Sequence, residues 1–85
     1  MKITYRPHTS HNPFCDIVEG QIDTDTMITF YKVLESGLQG CEVYIGENYN
    51  VGSKKKSRSW NYDTSTIPKK YYENWVKLKD YYNNL

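Results

Sequence analysis

The sequence predicts a small α+β domain: a small antiparallel sheet with two helices packed on one face, in the order β-β-α-β-β-α. Three observations predict it. Residues 66–85 repeat apolar side chains at spacings of three and four, which a 3.6-residue period gathers into one stripe. Residues 41–51 alternate apolar and polar positions, the mark of a half-buried strand. Between them and the N-terminus lies a second helix-like spacing, at Met27, Phe30, Tyr31, Leu34 and Leu38.

In order along the chain, residues 2–6 alternate, with Ile3 and Tyr5 on one face, and predict a short first strand. Pro7 and Pro13 bracket a turn-rich stretch that suits no regular element. Residues 14–22 alternate loosely: Phe14, Asp16, Val18 and Ile22 share one face, and Cys15 and Ile17 the other. The run Asp23-Thr24-Asp25-Thr26 offers N-caps, and its acids suit the positive end of a helix dipole. A helix over residues 24–36 is therefore expected, closed by Gly37 in the left-handed conformation with Leu38 folded back against the last turn.

The alternating stretch places Cys41, Val43, Ile45, Tyr49 and Val51 on one face and Tyr44 on the other. Gly52 to Lys56 then form a basic turn. A return strand follows, in which Arg58, Trp60 and Tyr62 alternate with Ser57, Ser59 and Asn61. In the last helix, Ile67, Tyr71, Trp75, Leu78, Tyr82 and Leu85 form the inward stripe. Thr66 is placed to cap it, with Pro68 just inside the first turn. Lys69 and Lys70 stand at the wrong end for the dipole, so packing must supply most of this helix's stability.

Eighty-five residues bound the chain to one domain, 1–85, with a thin stability margin that oligomerisation or partner binding often supplements. Nine tyrosines and two tryptophans argue against full disorder. No run of about 20 apolar residues and no signal-peptide pattern is present, so no membrane association and a cytoplasmic location are expected. Cys15 and Cys41 are then expected to be reduced. Residues 14–48 hold seven acids and one base, and the remainder ten bases and three acids. Such asymmetry suits steering of a charged partner or head-to-tail self-association; a merely soluble mixed surface is the plainer alternative.

Three candidate sites follow. Lys54, Lys55, Lys56 and Arg58 concentrate positive charge beside Trp60. Cations that neutralise phosphate next to rings that stack bases are the ingredients of a single-strand nucleic-acid surface; a solvated turn or a dock for an acidic protein uses the same residues. His8 and His11 have an H-x-x-H spacing followed by Cys15 and Asp16, which is zinc-ligand chemistry. It lacks paired C-x-x-C or helical H-E-x-x-H context, so neither a metal nor any other cofactor is expected. The same histidines could act as bases, with a thiol from Cys15 or Cys41 and a carboxylate from Asp16 or Glu19. Nothing in the sequence fixes their geometry, and no nucleophile elbow, Walker A or dinucleotide motif occurs. Third, Tyr44, Tyr71, Tyr72, Trp75, Tyr81 and Tyr82 exceed what a minor core holds, and such residues favour interface hot spots.

The expectation is therefore a non-catalytic module that binds another protein, with a homodimer as a further option and Lys54, Lys55, Lys56, Arg58, Trp60, Tyr44 and Tyr72 as the contact residues. Direct nucleic-acid binding through the basic hairpin 54–58 is the alternative, and a small ribonuclease or metal-dependent enzyme the third reading. An aromatic-rich chain of this size without a catalytic signature resembles the accessory and inhibitor proteins carried by phages and mobile elements. That likeness rests on size and composition and on no motif. It implies inhibition of a host protein by occupation of a charged surface.

Overall fold

In a computed structural model of the chain, residues 1–46, 56–60 and 64–85 are described. Lys54, Lys55, Tyr49, Val51 and Tyr62 lie outside them. The five strands are β1 (Lys2–Arg6), β2 (Cys15–Gln21), β3 (Thr26–Val33), β4 (Gln39–Ile45) and β5 (Lys56–Trp60). They form one antiparallel sheet in the order β1-β2-β3-β4-β5. A 3-10 turn at Thr64–Thr66 leads into the single helix, α1 (Lys69–Asn83).

The expected β-β-α-β-β-α order is thus corrected. Residues 24–36 form no helix; most of them build β3, the middle strand. Its residues Met27, Ile28, Thr29 and Phe30 are all buried, because neighbours on both sides fill both of its faces. A strand buried on both faces loses its alternation, and its apolar residues then fall by chance at helical spacings. The β-branched and aromatic content of Thr26, Ile28, Thr29, Phe30, Tyr31 and Val33 fits the pleated surface. Gly37 does take the left-handed conformation, with φ of 73°, but within the β3–β4 turn. There its N–H donates to Val33 O (2.8 Å), and the Val33 N–H donates to Leu38 O (2.8 Å).

Register sorts the faces. Tyr5↔Val18, Val18↔Phe30, Phe30↔Cys41 and Cys41↔Trp60 run across all five strands. This row points toward α1, as do Ile3, Ile28 and Val43. From α1, Trp75 and Leu78 are buried against it, with Tyr71, Val76 and Tyr82 half-buried at the margins. Gly20 opens the space that Leu78 enters, since a Cβ there would sit 2.9 Å from its Cδ2. The Trp75 indole N–H donates to Gly40 O (3.0 Å), one residue beyond the last β4–β5 pair. The ring is therefore buried with its polar atom satisfied.

The helix starts later than expected: Pro68 is the capping position and makes no side-chain cap bond. The inward stripe runs from Ile67 through Tyr82, whereas Leu85 is exposed. Among the described residues, no helix is long and apolar enough to cross a membrane.

Among the described residues, no second helix covers the face turned away from α1. Glu19 and Thr29 are 7% and 4% exposed there. Arg6 Nε approaches Glu19 Oε1 at 3.0 Å as an ion pair rather than a directed hydrogen bond. The Thr29 hydroxyl accepts the Glu42 N–H (3.2 Å) and donates to Glu42 O (3.3 Å). The Tyr44 hydroxyl donates to the Glu42 carboxylate. Burial first, and then that bond and the charges of Glu42 and Glu19, push the Tyr44 phenol well above its ordinary range. Tyr31 lies over Gly40, where any side chain would run into its ring.

Candidate partner-binding site

Two features meet at one end of the sheet, where the β1–β2 loop and the β3–β4 turn lie side by side. The first is a buried carboxylate. Asp16 faces α1 near the start of β2 and is 5% exposed. Its Oδ1 accepts the His8 backbone N–H (2.8 Å) and lies 2.7 Å from His8 Nδ1. Its Oδ2 accepts the Tyr82 hydroxyl (2.7 Å), from the last turn of the helix. Burial alone would raise the Asp16 pKa, but the bonds from His8 and Tyr82 outweigh it and hold the carboxyl below its ordinary range. The reciprocal effect appears at Tyr82, whose phenol is pushed up to about 12, chiefly by donating to Asp16. Lys32, the β3 residue paired with Asp16, sits 5.8 Å from the Tyr82 ring centroid. The Tyr82 ring itself packs against Tyr5 and Phe30.

Asp16 therefore ties the β1–β2 loop to the sheet and to the end of the helix. Two short bonds inside the loop add to this: Thr9 N–H donates to Asn12 O (2.9 Å), and Thr9 Oγ1 accepts from the Asn12 N–H (3.1 Å).

The second feature is what this held loop presents. Phe14 is 73% exposed, Leu34 40% and Leu38 42%. The Leu34 N–H donates to Phe14 O (2.9 Å), which puts the two residues on adjoining strands of backbone, and Leu38 closes the same turn against Val33. Three large apolar side chains thus stand exposed at this end, Phe14 two residues from Asp16 and Leu34 and Leu38 in a turn held by its own backbone bonds.

The residues expected to bind a partner are dispersed by comparison. Trp60 is in the core, 9% exposed, packed on Tyr71. The Arg58 guanidinium carbon lies over the Trp60 ring, 5.7 Å from the centroid. Arg58 is exposed. Lys56 pairs with Tyr44 across the β4–β5 ladder, and Lys54 and Lys55 lie outside the described residues. Tyr44 is half-buried in the polar face and engaged with Glu42. Tyr72 is exposed on α1, with its ring 6.0 Å from Trp75.

Of the residues weighed for catalysis, His8 and Asp16 are brought together. Cys15 and Cys41 sit in β2 and β4 with side chains on opposite faces, and both are free thiols. Burial raises the Cys41 thiol to about 12, far from a reactive thiolate. Among the described residues, no group of three or more His, Cys, Asp or Glu is placed to hold a metal ion.

Phe14, Leu34 and Leu38 escape notice as a site because the sequence pattern gives each a packed role: Phe14 opens a strand face, Leu34 lies on the apolar stripe of the expected helix, and Leu38 folds back against its last turn. Their signal lay in position: once β3 is a strand ending at Val33, all three fall just outside strand ends. No family model, curated protein or solved structure matches this chain.

Proposed function

We propose that this protein is a non-catalytic protein-binding module that acts by covering a surface of another protein, and that Phe14, Leu34 and Leu38 form the centre of its contact. One observation carries the reading: three large apolar residues, between 40% and 73% exposed, flank strand ends at one end of the sheet, joined by the Leu34–Phe14 and Val33–Leu38 backbone bonds. Scattered exposed apolar residues are ordinary; a cluster of them marks an interaction surface. An exposed aromatic flanked by leucines supplies the apolar anchor that interfaces concentrate at their centres. Holding such a group in place before binding lowers the ordering cost of association. The Asp16 bonds to His8 and Tyr82 serve that purpose.

Arg58 pairs with Val43 within the β4–β5 ladder, and Trp60 keeps its ring inside, so a base-stacking platform there has less support. The test is site-specific photocrosslinking in the source cell, from a benzoylphenylalanine at position 14 and, as control, at position 73. Position 14 should give a discrete protein adduct that disappears when Leu34 and Leu38 are both changed to Asp. Equal adducts from both positions, adducts to nucleic acid alone, or no adduct from position 14 would reject the proposal.

A further inference from the structure

We infer that the outer edge of β1, which no other strand covers among the described residues, is a second docking surface, and that the partner it fits is an extended segment alternating acidic and apolar residues. β1 is the first strand of the sheet, and its other side is fully engaged. Five consecutive pairs, from Lys2↔Gln21 to Arg6↔Ile17, run without a shift. The opposite edge, β5, differs: the ladder beside it slips between Val43 and Tyr44, and a bulge twists an edge away from further pairing. The helix lies mainly against β2 and β3 and reaches β1 only through the Tyr82–Tyr5 ring contact on one face, which leaves the outer backbone edge of β1 uncovered among the described residues.

Charge then selects the occupant. Lys2 and Arg6 stand on the face away from the helix, four residues apart with Thr4 between them, and β1 contains no acid. A second copy adding antiparallel through β1, centred on Thr4, would set Lys2 against the other Arg6 twice. Like charges directly opposite are destabilising, and basic edge residues are a known guard against self-pairing. Arg6 is already ion-paired with Glu19, so exposed Lys2 supplies the charge that favours a strand bringing a carboxylate opposite it. On the other face Ile3 and Tyr5 are half-buried at the margin of the core. Apolar residues at the intervening partner positions would cover their open flanks. Backbone bonds give such strand addition its affinity, and alternate side chains its specificity.

The probe is a blocked peptide, Ser-Glu-Val-Thr-Val-Glu-Ser, titrated into the intact protein while backbone amide shifts are followed by NMR. Its counterpart carries Lys in place of both Glu. The acidic peptide should shift amides within β1, and the lysine peptide should not. K2E should weaken the acidic peptide about fivefold and admit the lysine peptide, the size expected for reversing one cross-strand charge pair. Lys2 is exposed, so K2E leaves the fold intact. Equal shifts from both peptides, shifts at Phe14 or Leu34 in place of β1, or no β1 shift at millimolar peptide would overturn the inference. None of these outcomes bears on crosslinking from position 14, so the two surfaces succeed or fail separately.

Discussion

The molecule holds two sets of large apolar side chains with opposite fates. Phe30, Leu78 and Val18 lie between sheet and helix with no exposure, whereas Phe14, Leu34 and Leu38 stand 73%, 40% and 42% exposed at the end of the same sheet. The residue types are nearly the same. What differs is whether a second layer reaches them: α1 crosses β2 and β3 and ends at Asn83, where its last turn is occupied by the Tyr82–Asp16 bond. The lesson is that hydrophobicity alone does not assign a side chain to folding. Reach of the covering element decides, and apolar groups beyond that reach are left for something else to cover.

The largest effect should come from the covered set. Phe30→Ala removes a ring that touches Trp75 and Tyr82 and should cost about 3–5 kcal/mol. In a domain of this size that is much of the total stability. Urea unfolding followed by tryptophan fluorescence measures it. A loss below 1 kcal/mol would mean that the interior is not packed around Phe30.

An intermediate effect belongs to the brace between the two sets. Asp16→Asn weakens three bonds to a buried carboxylate and should cost about 1–3 kcal/mol. The sign of its pH dependence follows from the depressed folded pKa. The stabilisation is complete above the ordinary Asp value of 3.8 and is lost as pH falls through the lower folded value. Denaturation midpoints taken between about pH 6 and pH 2 should therefore converge for wild type and Asp16→Asn at the acid end. Parallel curves across that range would remove Asp16 from the account.

How much of this was legible depended on whether local pattern or tertiary placement decided. The stretch of β1 and the inward stripe of α1 from Ile67 to Tyr82 were readable, because each buries one face and keeps its period. β3 was not: a central strand with both faces filled carries no alternation, and Met27, Phe30, Tyr31, Leu34 and Leu38 imitate a helix. Gly37 was recognised for its left-handed backbone, but the same conformation serves a helix end and a hairpin turn. The apolar end of the sheet was hidden by that one misassignment, since a helix would have buried Leu34 and Leu38. The Asp16 network was beyond the sequence for another reason: its partners stand 8 and 66 residues away, and only the closed sheet with its docked helix brings them together.

The smallest effect is the most telling, because the uncovered set should matter to binding and hardly to folding. The double variant F14S/L34S, compared with wild type by urea unfolding, tests this separation directly. An unfolding free energy within about 0.5 kcal/mol of wild type is the predicted result and leaves these side chains available to a partner. A loss of about 2 kcal/mol or more, the size seen when buried apolar groups are removed, would contradict it and return Phe14 and Leu34 to the core.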